Sequence, residues 1–321
     1  MGIIVTVVVL LLGCSNESTL DSLNQAFCLN EEAPVFYACK AIDTTKISFS
    51  FSQPVTVKSL SFEPSLDITA VEEGAVVTVS YMERDKAGGE RVVADILVED
   101  ERGNTLNVLV PFRTLNKTLP NVLITEIRTE YSKPRVEFVE FKPLASGNLG
   151  ALRLFIASNG RTEPIFEFPP VEVQSGEYIV LHLRKLDERA ENEYDFVEET
   201  VVKESDSTKG RDFWVESNKE LLRKTDAVFF MDQNDNIIDA VVIDAETGGK
   251  YQTLIADAVD VCVQQGAWNG DAVPSQGTTA TRTISRLPSD ADSNSADDWF
   301  IAATGKASPG GQNTTEQYHA P

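Results

Sequence analysis

Histidine, methionine and tryptophan are scarce in this chain of 321 residues, which contains two, three and three of them. His182 lies within an apolar segment and His319 lies near the C-terminus, and neither accompanies a recognisable serine or cysteine nucleophile motif. The sequence also lacks a Gly-x-Ser-x-Gly turn and a glycine-rich phosphate loop. We therefore predict no catalytic residue and expect a protein that is not an enzyme.

Basic residues are few, since 28 Lys and Arg stand against 50 Asp and Glu and give a formal net charge of −22. Such a chain repels the phosphate backbone of nucleic acids, so we expect no nucleic-acid partner. A hydrophobic content of 42% still allows packed cores, and the length suits two domains.

Long apolar runs are missing after residue 13. The run over residues 3–13 is too short to span a bilayer but has the length of a signal-peptide core. Its end, Leu11-Leu12-Gly13-Cys14, resembles the lipobox of bacterial lipoproteins, in which the signal is removed and the cysteine is lipidated. The resemblance implies a signal peptide over residues 1–13, lipidation of Cys14 and a flexible tether over residues 14–39. The alternative interpretation is a buried strand at the front of a domain.

The other three cysteines leave little room for a zinc site, because only two histidines accompany them. Cys28 and Cys39 are close in sequence and form a candidate disulfide in an oxidising envelope, which would contribute about 2–3 kcal/mol. Cys262 lies among apolar residues at helical spacing and is predicted to be a buried thiol.

Residues 40–115 show the period-2 pattern of half-buried strands. Ile47, Phe49 and Phe51 alternate with serines, and Pro54 is expected to end this strand. Turn sequences over residues 87–90 and 100–104 separate later strands, which favours a β-sandwich.

Three motifs in this region carry a family resemblance: Phe51-Ser52-Gln53-Pro54-Val55, the turn around Asp100-Glu101-Arg102-Gly103-Asn104, and Phe112-Arg113-Thr114. They resemble the bacterial Ig-like domains of surface-layer and envelope proteins. The resemblance implies a spacer or interaction module over residues 40–115, followed by a linker at 116–120.

Residues 121–313 carry a second series of strand patterns. In the segment 135–141, acidic Glu137 and Glu140 fall on opposite faces, which predicts an edge strand or a strand that is exposed at one end. Ile124-Thr125-Glu126-Ile127, the hairpin from Val228 to Val242 and the ending Ser308-Pro309-Gly310-Gly311-Gln312-Asn313 resemble the lamin-tail domain. The resemblance implies an Ig-like β-sandwich, with a disordered tail over residues 314–321. The predicted fold is therefore all-β, with two tandem Ig-like β-sandwiches, the second carrying inserted loops and one or two short helices.

Two inserted segments interrupt this second pattern. Residues 187–206 are strongly acidic and are predicted to form a surface loop, and Ser217-Asn218-Lys219-Glu220 has the form of a capping box that opens a short helix. Apolar residues from Tyr251 to Val263 fall at helical spacing before Gly266, which predicts a helix packed on the sandwich or, alternatively, a helix for partner binding. Trp268 is predicted to fill the core.

An Asx-rich segment is the one candidate metal site. Asp290, Asp292, Asn294 and Asp297 place oxygen ligands at short intervals, as calcium prefers. The EF-hand spacing is absent, and turns bonded to their own backbone are the alternative. We expect no cofactor apart from this calcium.

Together these patterns favour a non-enzymatic lipoprotein anchored to a membrane of the bacterial cell envelope and facing the periplasm or the exterior. Its partners would be the lipid bilayer and an unknown protein or surface ligand that it binds, adheres to or scaffolds. The alternatives are an envelope hydrolase of the nuclease, phosphatase or glycosidase type, using carboxylates such as Glu126, Glu137 and Glu140, and a calcium-dependent adhesin.

Overall fold

The computed structural model describes residues 33–83, 88–195, 202–207, 209–246, 251–288 and 292–320. Within these ranges the chain forms nineteen strands and one α-helix, so the all-β prediction is confirmed. The described residues divide into two compact units. The first comprises 33–40, 47–80 and 93–110, and the second comprises 41–46, 81–83, 88–92 and the described residues from 111 onwards.

Most of a single six-stranded sheet lies in the first unit. Its strands are β1 (Phe36–Asp43), β2 (Lys46–Glu63), β3 (Ile68–Glu72), β4 (Gly74–Tyr81), β5 (Arg91–Asp100) and β6 (Thr105–Arg113). The order is β3-β4-β2-β5-β6, with β1 also paired to β2. Alternate residues of β2, β4 and β5 are buried, so the period-2 pattern of the sequence marks the core side of this sheet.

Strand β2 is longer than the sequence pattern predicts. Pro54 does not end it, because pairing with β5 begins at the next residue, Val55, and continues to Glu63. Strand β1 also begins earlier than expected, at Phe36, inside the predicted tether over residues 14–39. Phe36 is drawn into the sheet because its ring packs edge-on against Phe51 at 5.8 Å.

The second unit is a β-sandwich with two main sheets. Its strands are β7 (Val122–Arg128), β8 (Phe138–Pro143), β9 (Gly147–Asn148), β10 (Arg153–Ile156), β11 (Phe166–Glu167), β12 (Glu172–Val173), β13 (Ile179–His182), β14 (Arg211–Trp214), β15 (Asp226–Met231), β16 (Ile237–Asp244), β17 (Val273–Pro274), β18 (Ile284–Arg286) and β19 (Trp299–Ile301). One sheet has the order β14-β13-β8-β7-β18-β19 and the other has the order β11-β10-β15-β16-β17, while β9 and β12 form a separate pair.

Phenylalanine rings fill the core of the second unit. Phe141 contacts Phe230 with ring centroids 4.7 Å apart, and Phe168 contacts Phe213 at 5.1 Å. These side chains are almost completely buried. Each such burial contributes about 1.5–3 kcal/mol, so this cluster is a principal source of the sandwich's stability.

The prediction of an edge position for the segment around Glu137 and Glu140 is wrong. Strand β8 lies in the interior of its sheet, between β7 and β13. The acidic residues do not need solvent, because Glu137 forms a two-point ion pair with Arg184 at 2.9 and 2.6 Å and Glu140 is hydrogen-bonded inside the fold.

The predicted disordered tail is also wrong for the described residues up to 320. The amide of Tyr318 donates to the carbonyl of Ile301 at 2.8 Å, and the amide of Ala303 donates to Glu316 at 2.9 Å. The guanidinium of Arg282 lies 4.0 Å from the centre of the Tyr318 ring. This segment therefore pairs alongside the end of β19.

The linker predicted at residues 116–120 carries no helix or strand but is docked firmly on the second unit. Asn116 is buried, and its side-chain amide donates to the carbonyls of Asn148 and Gly150, both at 2.8 Å. Its backbone exchanges two hydrogen bonds with the side chain of Gln233.

The predicted helix forms as α1 (Thr253–Gln264), and Gly266 follows it with φ +74°, as a C-terminal glycine requires. Ile255, Ala258 and Cys262 face the core, and Trp268 is buried as predicted. The capping box at residues 217–220 opens no helix, because the Ser217 hydroxyl accepts instead from the amide of Lys219, only two residues ahead, in a local turn.

The packing of α1 on the sandwich can be tested with two neighbouring residues. Ile255 is 2% exposed and Leu254 is 55% exposed. Ile255→Ala should lower the free energy of unfolding by about 2–5 kcal/mol, because it removes buried methylenes and leaves a cavity. Leu254→Ala should change it by less than about 0.5 kcal/mol. Urea denaturation would measure both, and equal effects would contradict the observed orientation of the helix.

Candidate functional site on a buried polar sheet face

The six-stranded sheet of the second unit buries both of its faces. On one face, Val139 and Phe141 contribute to the aromatic core. The alternate residues of the strands, such as Glu140, point to the other face. We call this second side the polar face. Its central residues, all buried, are Glu126, Arg128, Phe138, Glu140, His182, Asp212 and Trp214.

Four of these residues form a row across four adjacent strands. Strand pairing places Arg128 opposite Phe138, Phe138 opposite His182, and His182 opposite Trp214. The Arg128 guanidinium lies 4.7 Å from the Phe138 ring centre, and the His182 imidazole stacks on the Trp214 indole at 4.0 Å. Direct strand register therefore brings together residues that are far apart in sequence.

His182 is held by a carboxylate that sequence reasoning could not assign to it. Its Nε2 lies 2.9 Å from Oδ1 of Asp212, whose Oδ2 accepts a hydrogen bond from the Ser205 hydroxyl at 2.6 Å. Nδ1 of His182 is buried without a hydrogen-bond partner among the described residues. Asp212 thus fixes the orientation of the imidazole. The ring is fully buried beneath Trp214 and the segment that contains Ser205, so it does not face solvent.

A pair of glutamates forms the next row. Glu126 and Glu140 are register partners on β7 and β8, and both are fully buried. Thr125 donates to Glu140 at 2.5 Å, and hydroxyls of Thr283 and Ser285 donate to Glu126. Burial raises the pKa of Glu126, and burial together with the neighbouring Glu126 raises the pKa of Glu140 well above its ordinary value. Burial favours the neutral form of each carboxyl, and the neighbouring Glu126 adds to this effect at Glu140.

Main-chain amides near the C-terminus donate further hydrogen bonds to both glutamates. We call residues 308–313 the C-terminal arm. The amide of Ser308 donates to Glu126 at 3.1 Å, and the amide of Gly310 donates to Glu140 at 2.6 Å. Gly310 has φ +82°, and an added Cβ there would lie 2.5 Å from the amide nitrogen of Gly210, so only glycine fits.

The acidic insertion helps to cover the polar face. Its described residues 187–195 are mostly exposed or half-buried, as a surface loop requires, whereas most of residues 202–207 are buried. Asp206 forms an ion pair with the buried Arg128 at 3.0 Å. The Glu193 carboxylate accepts from the amide of Asp212 at 2.9 Å, and burial raises the pKa of Glu193 to about 7. Ser205 is fully buried, so the described part of the insertion covers the polar face.

A buried ion pair between Asp239 and Arg286, with Oδ2 3.7 Å from Nη2, joins the two sheets. The amide of Ile124 donates to Asp239 at 2.6 Å, and its carbonyl accepts from Nε of Arg286 at 2.8 Å. The same guanidinium binds Asp292 at 2.9 Å and lies 4.5 Å from the Trp299 ring centre. Burial raises the pKa of Asp239 to about 7 despite the nearby Arg286.

The candidate calcium ligands have other roles in the described residues. Asp290 lies outside these residues, and Asp292 is bound to Arg286. The side-chain amide of Asn294 donates to the carbonyl of Gly266 at 3.0 Å, and Asp297 belongs to a short turn capped by Ser295. In the part of the chain that the structure describes, no three His, Cys, Asp or Glu side chains are grouped to hold a metal ion.

The predicted lipidation site and half of the predicted disulfide, Cys14 and Cys28, lie outside the described residues. Cys39 is a half-buried thiol on β1, and burial raises its pKa to about 12. Both assignments therefore stay predictions. Over the described ranges, no helix is long and apolar enough to cross a membrane.

The raised pKa of Asp239 predicts how stability depends on pH. A carboxyl whose folded-state pKa is raised stabilises the fold fully below its ordinary pKa, and this contribution is lost as the pH rises through about 7. The free energy of unfolding should therefore fall between about pH 4 and 7, by at most about 1.4 kcal/mol per pH unit from this group.

Asp239→Asn should flatten that pH dependence, because the amide stays neutral and keeps an oxygen to accept from Ile124. Asp95→Asn, at an exposed position on β5, is the matched control and should keep the wild-type slope. Urea denaturation at several pH values gives the slopes. Identical slopes for Asp239→Asn and wild type would contradict the prediction.

Comparison with known proteins adds a family but no activity. Residues 120–301 match the family model TP_1001_2nd, described as "protein second domain". An uncharacterized protein of Treponema pallidum (strain Nichols) is 27% identical over 218 residues, which cover 65% of this chain and 54% of that protein. The chain thus spans about half the length of the curated relative that it matches. No solved structure matches this chain.

The family model covers more than half of the chain, including nearly all of the second sandwich. The chain therefore belongs to the TP_1001_2nd family.

Proposed function

We propose that this protein is a membrane-anchored lipoprotein of the bacterial cell envelope that acts without catalysis, as a binding, adhesion or scaffolding module. In this proposal the first unit is an Ig-like spacer and the second is a lamin-tail-like sandwich that presents the binding surface. The cleaved N-terminal segment would leave Cys14 as the lipid-bearing first residue.

The non-catalytic role is supported by the burial of the potentially reactive side chains, which are hydrogen-bonded to other parts of the fold. Glu126, Glu140, His182 and Asp212 are all buried and all hydrogen-bonded within the fold. A general acid or base has to reach its substrate directly or through one water. Side chains that hold the C-terminal arm and the insertion in place support a structural role for this polar network.

The anchoring part of the proposal rests on residues 3–14. Each buried acyl methylene contributes about 0.8 kcal/mol, so two or more chains on Cys14 would give lasting attachment. Attachment confines the two units near the membrane and raises their effective concentration for a partner there. The net charge of −22 favours a basic partner surface.

Lipidation can be tested by intact-mass and peptide mass spectrometry of the protein from bacterial membranes. We expect a mature chain that begins at Cys14 and carries acyl groups, because the lipobox-like end of the apolar run directs cleavage there. Cys14→Ser should abolish acylation and release the protein from the membrane fraction, whereas Cys39→Ser should leave both unchanged. An unacylated wild-type chain that still carries Met1 would contradict the proposal.

The alternative function, an envelope hydrolase, can be tested by activity assays. The mature protein can be assayed against general esterase, nuclease, phosphatase and glycosidase substrates. Turnover that is lost in Glu140→Gln or His182→Gln, in variants whose circular dichroism matches wild type, would overturn the non-catalytic role.

A further inference from the structure

Strand β6 forms an open edge of the six-stranded sheet. Among the described strands it pairs with β5 alone. Its core-side residues Leu106, Val108 and Val110 are only half-buried, whereas every core-side residue of β5 is buried. On the opposite side, Leu109 is 71% exposed, the highest value among the large apolar side chains of the described residues. A further strand beside β6 would therefore remove apolar surface from water.

Hydrogen bonds at the two ends of β6 indicate which of its backbone groups face the open edge. The carbonyl of Asn104 and the amide of Thr114 each form a 3.0 Å hydrogen bond on the side of β5. These two residues are an even number of positions apart, and backbone groups alternate between the two sides of a strand. The N–H and C=O groups of Asn107 and Leu109 are therefore directed away from β5. Pro111 has the same direction, so its missing N–H costs the ladder with β5 nothing.

The open edge of β6 also lacks the charges that protect other sheet edges from pairing. No charged residue lies between Arg102 and Arg113. The edge strands β1 and β3 differ, because β1 carries Lys40 near its middle, and β3 follows Asp67 and ends at Glu72. Charged side chains oppose the addition of another strand at an edge. Two copies of β6, in contrast, place no like charges opposite each other.

We propose that two copies of this protein pair through β6, edge to edge and antiparallel, over residues 105–110. Identical antiparallel strands obey the two-fold symmetry of most homodimers, and each outward amide then meets an outward carbonyl of the other copy. The net charge of −22 does not prevent this contact, because charges more than about 8 Å apart are largely screened at physiological ionic strength. The pairing goes beyond the binding role proposed above and does not depend on the lipid anchor.

Sedimentation equilibrium of the full-length protein over a range of concentrations tests this pairing, in a detergent whose density the solvent matches. We expect a reversible monomer–dimer equilibrium. Leu109→Lys should weaken dimerisation at least about tenfold, because it brings two ammonium groups close together and removes two apolar side chains from the interface. Asn107→Lys, at the neighbouring outward position, should act in the same direction. Hydrogen exchange over residues 105–110 should slow as dimers form.

Val71→Lys is the matched control, because Val71 is a 38% exposed apolar residue on the other edge strand β3. It should dimerise as wild type does, and circular dichroism should match wild type for all three variants. A dimer as tight in Leu109→Lys and Asn107→Lys as in Val71→Lys would overturn the pairing.

A wild-type chain that is monomeric throughout the concentration series would also overturn the pairing. If residues 105–110 of such a monomer were protected from exchange, another segment of the same chain or a different partner would cover the edge instead. None of these results bears on Cys14, whose lipidation is judged separately by mass spectrometry, so the two failures are distinguishable.

Discussion

The buried pair Glu126 and Glu140 is the constraint on which the second unit depends. Removing two carboxyls from water costs several kcal/mol unless hydrogen bonds replace the lost hydration. The amides of Ser308 and Gly310 supply part of that replacement. Because these donors belong to the main chain of the C-terminal arm, the arm has to lie across the sheet for the carboxyls to be satisfied. The hydrogen bonds to Glu126 and Glu140 thereby explain why the C-terminal arm lies where it does.

The same principle operates on the other side of this sheet. Asp239 and Arg286 lie almost fully buried between the two sheets. The amide of Ile124 donates to Asp239, and its carbonyl accepts from Arg286. The insertion is fixed in turn by Asp206 on Arg128 and by Glu193 on β14. Charged groups thus determine how the coverings of the sandwich are placed, while the phenylalanine core supplies most of its favourable burial.

Much of the fold follows from local sequence patterns. The alternation around Phe49, the turn after Asp100 and the apolar spacing of α1 each reflect a period or a turn chemistry that neighbouring residues determine. The roles of Glu140 and Arg286 were not accessible in this way. A carboxylate in a strand indicates an edge unless a donor is known, and its donor, Gly310, lies 170 positions along the chain. His182 was likewise considered alone, because only strand register brings Asp212 and Trp214 beside it. Long-range register and buried charge pairing are tertiary properties that one sequence does not display.

Hydrogen–deuterium exchange of the native protein near neutral pH tests the central claim most directly. If the buried glutamates hold the C-terminal arm on the polar face, the amides of Ser308 and Gly310 should exchange as slowly as those of strand β8, and the amide of Asp212 should be protected by Glu193. Exchange of the arm amides at the rate of an exposed loop, while β8 stays protected, would contradict the account, since the carboxyls would then be buried without their main-chain donors.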